Sequence, residues 1–348
     1  MEHSAPLPRS RARSFLVGLD GGATGTVALV GDLEGRILGW GTAGPANYHT
    51  VGREASTRSL AEAVRQALRS AGVAPAQVRL LLVGVAGLDH PRQDGQAYQE
   101  ILEAAGLGIP FEVVGDVIIA WAGATLALPG LGIIAGTGCS AYGMNSRGET
   151  WKAGGWDYLL ADEGSAYWIG LEGLRAAMRA YDGRGEATAL LEAMVQHYRL
   201  ADPLEMVQVA YSGHFHKAEI ASFAQAVSRC AGEGDPEARR ILLHAADEVA
   251  RMASAVIRKL GMEEERFPLG WSGGVFRSGE LFLARFTEAV RQVAPLAQIG
   301  PARYPPVVGA LIYGLHRLGR LTPEIRETVA ASAAGYDFPK PGSTAGDL

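Results

Sequence analysis

Cysteine is scarce in this sequence: Cys139 and Cys230 are the two cysteines among 348 residues. They provide neither a disulfide framework nor the close spacing of a zinc or iron–sulfur site. Basic residues do not dominate either, since 32 Lys and Arg stand against 37 Asp and Glu and the formal net charge is −5. Because binding to nucleic-acid phosphates needs a basic face, we expect no nucleic-acid partner.

The sequence also lacks a clear membrane or leader segment. Residues 117–146 carry no charge and are long enough to cross a bilayer. Pro129 and Gly130 interrupt this segment, however, and a buried helix followed by buried strands explains it better. Residues 1–14 are rich in Pro and Arg and are not followed by the apolar stretch of a signal peptide. We therefore expect a cytoplasmic protein with no membrane contact.

Glycine, in contrast, is abundant, with 46 residues. A short apolar run at residues 15–19 leads into a glycine turn and then into a strand rich in β-branched residues, which predicts a hairpin. The same order returns near residue 137. The fully apolar residues 80–85 predict a strand buried on both faces, and Asp235-Pro236 predicts the start of a long helix. Together these patterns predict an α/β protein with mixed sheets covered by helices.

The first glycine turn, at residues 20–26, has the sequence Asp-Gly-Gly-Ala-Thr-Gly-Thr. Flexible glycines bring backbone N–H groups to an anion, and threonines add hydroxyls. Asp20 is suited to hold Mg²⁺ through water, because Mg²⁺ prefers carboxylate oxygens and retains waters. An ordinary hairpin turn has the same pattern. The candidate phosphate contacts in this turn are Gly21, Gly22, Thr24 and Thr26.

A second loop, at residues 136–140, has the sequence Gly-Thr-Gly-Cys-Ser and offers the same chemistry. A plain turn rich in glycine is the alternative here too. Two such loops in corresponding places favour phosphate binding over coincidence. The candidate phosphate contacts in the second loop are Gly136, Thr137, Gly138 and Ser140.

Asp116 stands between a predicted buried strand and the apolar residues 117–121. A carboxylate in this position is either a helix N-cap or a functional group at the carboxyl end of a sheet, where open α/β folds bind ligands. The two roles are compatible. As a general base, Asp116 could take a proton from a hydroxyl group of a sugar.

A third cluster combines Gly155 and Trp156 with the acidic pair Asp162 and Glu163. An aromatic face beside carboxylates suits a sugar, because the ring packs on the aromatic face and its hydroxyls bond to carboxylates. Helix capping explains one of the two acidic residues equally well. Farther along, Ser272 lies in a Gly-x-Ser-x-Gly pattern typical of a hydrolase nucleophile. His316, the downstream histidine that a triad would need, sits in an apolar helix, so a glycine turn against adenosine is favoured.

In this order the motifs resemble the N-acetylglucosamine kinase branch of the BadF/BadG/BcrA/BcrD ATPase family. The resemblance covers roughly residues 15–321, and its most specific part is Asp-Glu-Gly-Ser-Ala-Tyr-Trp-Ile at residues 162–169 with Gly155-Trp156 before it. It implies two ribonuclease-H-like domains of the actin-like ATPase kind, each with a mixed five-stranded sheet, and an active-site cleft between them. The implied cofactors are ATP and Mg²⁺, and the implied partner is a small sugar.

The resemblance also assigns roles to residues. Asp116 aligns with the catalytic base, and Gly273 and Gly274 align with the adenosine motif. Asp157 and Ala161 stand where the family has glycines, which puts the identity of the sugar in question more than the reaction. The implied sugar contacts are Asn47, Asp89, Asp116, Gly155, Trp156 and Asp162.

The repeated strand and glycine-turn pattern places a domain boundary near residues 117–130. With the resemblance, we expect a flexible tail at residues 1–14, ATPase-like domains at 15–117 and 118–320, and a C-terminal helix or tail at 321–348 that could pack back on the first domain. Helical insertions are expected at about residues 163–265. The resemblance is compatible with a homodimer.

The expected reaction is phosphorylation of N-acetylglucosamine at its 6-hydroxyl, with glucosamine, N-acetylmuramate or glucose as alternative substrates. Two other classes remain open. One is a dehydratase activase, whose cluster cysteines have no counterpart here, and the other is a serine hydrolase that uses Ser272.

Overall fold

The computed structural model describes residues 14–88, 90, 92–213 and 215–336. The strands predicted at residues 15–19 and 80–85 are present, and each is two residues longer at one end. Ten strands occur in the described residues. They are β1 (Phe15–Gly21), β2 (Thr26–Asp32), β3 (Ile37–Ala43), β4 (Val78–Val85), β5 (Phe111–Gly115), β6 (Gly130–Ala135), β7 (Cys139–Met144), β8 (Thr150–Gly154), β9 (Pro268–Ser272) and β10 (Gln298–Pro301).

Helices fill most of the sequence between the strands and dominate residues 166–260. They are α1 (Tyr48–Ala71), α2 (Gln93–Ala104), α3 (Asp116–Thr125), α4 (Ala166–Tyr181), α5 (Leu190–Tyr198), α6 (Glu205–Ala210), α7 (Lys217–Ser222), α8 (Ala224–Gly232), α9 (Pro236–Leu260), α10 (Glu280–Arg291), α11 (Pro306–Arg317) and α12 (Pro323–Ala333). Short 3₁₀ turns occupy Pro75–Gln77 and Gly274–Arg277.

The chain forms two compact units, one of residues up to Asp116 together with those from Ala310, and one of Val117–Gly309. The predicted domain boundaries at residues 117 and 320 stay a prediction, and residues 310–320 pack with the first unit in the structure. Most of the predicted N-terminal tail, residues 1–13, lies outside the described residues. The part of the chain predicted to pack back includes α12, in which the Ser332 hydroxyl accepts a hydrogen bond from the Ile37 N–H at 2.9 Å.

The first unit contains a five-stranded sheet in the order β3-β2-β1-β4-β5. Antiparallel pairing joins β1, β2 and β3, whereas β4 and β5 extend the sheet in parallel from β1. Helix α11 packs so closely on β1 that a Cβ at Gly18 would lie 2.5 Å from the Leu311 nitrogen. Buried side chains from the sheet and from α1 and α2 form the core, including Leu19, Leu60 and Tyr98.

The second unit repeats this topology with a sheet in the order β10-β9-β6-β7-β8. Again a three-stranded antiparallel run, β6-β7-β8, is extended in parallel by β9 and β10. The predicted helix start at Asp235 is confirmed, since its carboxylate accepts a hydrogen bond from the Ala238 N–H at 2.8 Å. Gly261 ends this helix, α9, with a left-handed φ of 65°.

The uncharged residues 117–146 form most of α3 and all of β6 and β7, as predicted for a buried segment. Across the parts of the chain that the structure describes, none of the helices combines the length and the apolar character needed to span a bilayer.

Candidate active site

The first glycine loop connects β1 to β2 in the first unit. The Gly22 N–H donates to the Gly25 carbonyl at 2.9 Å, which closes the turn, and the Gly22 carbonyl accepts from the Ala46 N–H at 3.1 Å. Thr24 is exposed at the tip of the loop. The phosphate contact predicted for Thr24 stays a prediction, and the exposed position of the side chain is compatible with it.

Thr26 has different surroundings. Its side chain is 1% exposed, and its hydroxyl donates to the Gly44 carbonyl at 2.7 Å. This bond joins the start of β2 to the residue that follows β3. The hydroxyl of Thr26 thus has a structural contact within the first unit, where the sequence predicted a phosphate contact.

Asp20 and Asp116 lie at one edge of the first sheet. Parallel strands β1, β4 and β5 end there; Asp20 pairs in register with Gly84, and Gly84 with Val114, two residues before Asp116. Asp116 opens α3 directly after β5. Burial, followed by the nearby Asp116 carboxylate, raises the pKa of Asp20 to about 7. Two carboxyl groups are therefore brought together where open α/β sheets bind ligands.

The donor set at this edge fits a divalent cation. Asp20 forms no ion pair with any Lys or Arg of the described residues. A buried carboxylate beside a second carboxylate is unfavourable without a counter-charge. Oxygen donors of this kind are those that Mg²⁺ prefers. Clusters of three or more His, Cys, Asp or Glu suited to a metal do not occur in the described parts of the chain, so water would have to complete the coordination.

Asn47 caps the N-terminus of α1 through its side-chain oxygen, which accepts the His49 N–H at 3.1 Å. The loop beyond β4 approaches it closely, since a Cβ at Gly87 would lie 2.8 Å from that oxygen. The same region is organised by Asp94, whose carboxylate is buried and accepts from the Tyr48 hydroxyl at 2.6 Å. The side-chain oxygen of Asn47 is thereby held in place. Asp89, a predicted sugar contact in this loop, lies outside the described residues.

The second glycine loop connects β6 to β7 in the second unit. The Gly136 N–H donates to the Gly138 carbonyl at 2.9 Å. The carbonyls of Gly136 and Thr137 accept N–H groups from Ala166 and Tyr167, at the first turn of α4. These bonds satisfy helix N–H groups that would otherwise lack partners. The first turn of α4 therefore anchors the loop.

Asp162 supports the same loop from the other side. Its carboxylate is 3% exposed, and one oxygen accepts the Cys139 N–H at 2.9 Å. A Cβ at Gly138 would lie 2.9 Å from that oxygen, so glycine is needed for the loop to pass. The other oxygen forms an ion pair with the Lys217 ammonium group at 2.6 Å. Asp162, predicted as a sugar contact, thus directly shapes the predicted phosphate loop.

Trp156 is about half exposed, with 49% of its surface open to solvent. The Lys152 ammonium group lies 5.0 Å from the centroid of its ring, within the range of a cation–π contact. Gly155 before it has a left-handed φ of 67° and packs against Ser140 of the second loop. The aromatic face predicted to hold a sugar is therefore adjacent to the second glycine loop.

Gly273 follows β9 with a φ of 105°, and a Cβ there would lie 2.2 Å from the Ala135 carbonyl oxygen at the end of β6. Only glycine allows this approach beside the second loop. Gly274 starts the 3₁₀ turn that follows. The Ser272 hydroxyl, the nucleophile of the hydrolase alternative, donates to the Ile133 carbonyl at 3.3 Å, a structural contact between neighbouring strands.

Comparison with known proteins supplies the family. The model of the BadF/BadG/BcrA/BcrD ATPase family matches residues 17–314. The chain belongs to this ATPase family. An N-acetylmuramic acid/N-acetylglucosamine kinase of Clostridium acetobutylicum is 29% identical over 298 residues, which are 86% of this chain and 97% of the relative. An N-acetyl-D-glucosamine kinase of Dictyostelium discoideum is 28% identical over 315 residues, 88% of this chain and 99% of the relative.

Among solved structures, a Chromobacterium violaceum protein matches with a TM-score of 0.71 and 24% identity, covering 87% of this chain and 99% of that protein. This likeness concerns the fold alone. Together with the two observed sheets, it confirms the predicted α/β class with two mixed five-stranded sheets flanked by helices. Membership of the BadF/BadG/BcrA/BcrD ATPase family implies that the chain uses ATP.

The sequence analysis did not identify Lys217 or Asp94 as residues that shape the candidate site. Lys217 is 55 positions from Asp162, so no local spacing connects them. Asp94 is a lone acidic residue in the first turn of α2 and has no motif around it. Of the two departures from glycine, Asp157 has a left-handed φ of 64°, where glycine would be unstrained. Ala161 is not among the described residues with positive φ, so its backbone does not require glycine.

Proposed function

We propose that this protein transfers the γ-phosphoryl group of ATP to the 6-hydroxyl of an amino sugar, N-acetylglucosamine. The observation that carries the proposal is the pair Asp20 and Asp116, which lie at the carboxyl edge of one sheet. Within the described parts of the chain, Asp20 has no ion pair with a Lys or Arg. The proposal is supported by the two relatives of 28% and 29% identity, which bear the names of N-acetylglucosamine kinases.

In the proposed reaction Asp116 acts as general base. Its carboxylate takes the proton of the 6-hydroxyl while the hydroxyl oxygen attacks the γ-phosphorus in line. One oxygen–phosphorus bond forms, the bond to the bridging oxygen of ADP breaks, and ADP leaves with that electron pair. General base catalysis of this kind contributes about 10²- to 10⁴-fold to the rate.

In this proposal each glycine loop contributes phosphate contacts, which include the exposed hydroxyl of Thr24 in the first loop. The Gly22 and Gly136 N–H groups already donate to carbonyls of their own loops, so other N–H groups of the loops take this role. Asp20 would hold Mg²⁺ through water, and the bound ion would supply positive charge beside the phosphates. Gly273 and Gly274 form the proposed contact with adenosine, and their position beside the end of β6 supports this role.

The sugar contacts in this proposal are Asn47, Gly155 and Trp156, with Asp89 as predicted from the resemblance. Asp162 remains able to join them, because each of its carboxylate oxygens has a second lone pair beyond the bond already formed. Since ATP is the proposed donor, we also propose that the enzyme works in the cytoplasm. A homodimer remains a prediction.

A coupled assay of ADP formation tests the function. ATP should be consumed when N-acetylglucosamine is added and should not be consumed without sugar. Glucosamine, N-acetylmuramate and glucose, assayed in parallel, identify the preferred substrate. ATP consumption that none of the four sugars accelerates would contradict the proposal and favour an ATPase of the activase kind.

The base is tested by Asp116→Asn, which keeps the size of the side chain and removes its basicity. We expect turnover to fall to well under about a tenth of the wild-type rate, because the general base is lost. Binding of a non-hydrolysable ATP analogue should persist. A variant that retains more than that rate would show that another group takes the proton.

A further inference from the structure

Lys217 occupies a position in the second unit that the proposed chemistry does not use. Its ammonium group forms ion pairs with Asp157 at 2.8 Å and with Asp162 at 2.6 Å. It also lies 5.6 Å from the centroid of the Tyr158 ring. One cation on the short helix α7 therefore contacts both ends of the segment of residues 157–162, which we call the 157–162 segment.

The two aspartates of the 157–162 segment that Lys217 contacts also have unusual backbone angles. Asp157 and Asp162 both have left-handed φ angles, 64° and 68°. Such angles are unfavourable for residues other than glycine and persist where surrounding contacts fix them. The Asp157 carboxylate accepts its neighbour's N–H, that of Tyr158, at 2.7 Å as well as contacting Lys217. Asp157 thus stands where glycine would be unstrained, and its carboxylate forms an ion pair that glycine could not form.

The positive charge of Lys217 also stabilises the buried carboxylate of Asp162. Asp162 is buried, and a buried carboxylate without a counter-charge is strongly disfavoured. Although burial opposes the charged form of Lys217, its hydrogen bonds to Asp157 and Asp162 raise its pKa above the ordinary value. The ammonium group therefore stays charged and leaves the carboxylate free to accept the Cys139 N–H.

The contacts of Lys217 connect it to the second phosphate loop and to Trp156. Asp162 connects Lys217 to the second phosphate loop through Cys139 and through the close approach of Gly138. Asp157 connects Lys217 to Trp156, its immediate neighbour in sequence. In the proposed function, the first connection affects a loop that binds ATP, and the second affects a side chain that binds the sugar.

We propose that Lys217 is a positioning residue that sets the second phosphate loop through Asp162 and the sugar-facing Trp156 through Asp157. The proposal rests on the proposed function for the identity of the ligands. Lys217 itself touches neither ligand in this account, because both of its ion pairs are made within the protein.

Three variants separate the two connections. Lys217→Met removes the charge and nearly keeps the length of the side chain. We expect the KM values for ATP and for N-acetylglucosamine both to rise about ten- to hundredfold, because small misplacement of binding groups has effects of this size. Lys217→Arg retains the charge and should recover most of that loss. Asp157→Gly, the matched control, breaks one connection and suits the backbone, so the KM for sugar should rise while that for ATP stays within about twofold.

Binding of the ATP analogue AMPPNP, measured by calorimetry, provides a readout that does not require catalysis. Its dissociation constant should rise in Lys217→Met and stay near the wild-type value in Asp157→Gly. Should Lys217→Met fail to fold, Lys217→Arg and Asp157→Gly decide the question. An unfolding temperature measured for each variant identifies loss of fold.

Several results would overturn the proposal. These are a folded Lys217→Met with both KM values unchanged, an arginine variant no better than the methionine variant, or an Asp157→Gly that weakens ATP as much as sugar. If the wild type phosphorylates no sugar but binds AMPPNP, the proposed function fails. In that case the AMPPNP affinity of Lys217→Met alone decides the positioning role, with unchanged affinity contradicting it.

Discussion

Asp20 in the first unit and Asp162 in the second unit stand beside corresponding glycine loops of sheets with the same topology, yet their surroundings are opposite. Asp20 forms no ion pair with a Lys or Arg of the described residues, and burial, followed by the like charge of Asp116, raises its pKa to about 7. Asp162 is buried as well, but it has Lys217 on one oxygen and a backbone N–H on the other. A carboxylate with unsatisfied charge is suited to a metal ion or a reaction, whereas a paired carboxylate holds a loop in place.

The two glycine loops also differ in the contacts that hold them. Backbone hydrogen bonds and the Thr26 hydroxyl hold the first loop. The second is anchored by α4 on one side and by Asp162 on the other. Repeated topology therefore does not imply repeated roles, and substitutions at the paired positions should have different consequences.

Asp20→Asn should produce the largest effect and separate activity from stability. We expect activity to fall about 10- to 100-fold, the usual effect of losing an outer-sphere partner of a metal. The folded pKa of Asp20, about 7, lies above the ordinary value of 3.8, so the folded state binds this proton more tightly. Without Mg²⁺, wild-type stability from this group therefore decreases as the pH rises from about 4 to about 7.

Thermal unfolding in the absence of Mg²⁺ checks the second part. The asparagine variant should unfold at a higher temperature than wild type at pH 8, by on the order of a few degrees, and near the same temperature at pH 4. A variant that is less stable than wild type at pH 8 would mean that Asp20 has a structural partner, as Asp162 does.

Asp162→Asn should lower stability. Removing one partner of a buried ion pair costs about 3–5 kcal/mol, and we expect the lower end because Lys217 keeps Asp157. Denaturant unfolding measures the difference. The control is Asp157→Asn, whose half-exposed ion pair should contribute about 1 kcal/mol or less. Equal losses in the two variants would contradict the distinction between the two carboxylates.

Thr26→Val tests whether the first loop uses this hydroxyl for its own structure. Loss of the bond to Gly44 should cost about 1 kcal/mol of unfolding free energy, while the KM for ATP stays the same. Thr24→Val, at the exposed tip, should raise the KM for ATP and leave stability unchanged. A Thr26→Val variant with a higher KM for ATP and unchanged stability would instead support the phosphate contact that the sequence predicted for Thr26.

The smallest effect is expected for the cysteines. Burial, followed by the negative charge of Asp162, raises the pKa of the Cys139 thiol far above its ordinary value, and burial also raises the pKa of Cys230. A disulfide reagent at pH 8 should therefore modify the native protein much more slowly than the unfolded chain. Rapid modification of Cys139 would mean that the second loop opens readily.

Local sequence signals predicted most of the fold. The start of α9 at Asp235-Pro236 and the glycine loops could be read because caps and turns depend on residues a few positions apart. The ion pair of Lys217 with Asp162 could not, since it joins residues 55 positions apart. The bond from Thr26 to Gly44 was missed for the same reason. Residue types indicated which groups carry the chemistry, but only packing shows which of them already have partners.

The most direct test of this account is ³¹P NMR of the protein with ATP, Mg²⁺ and N-acetylglucosamine. The account predicts ADP together with a new phosphomonoester signal coupled to the protons on carbon 6 of the sugar, and no such signal with Asp116→Asn. Inorganic phosphate as the product instead, formed equally with and without sugar, would contradict it.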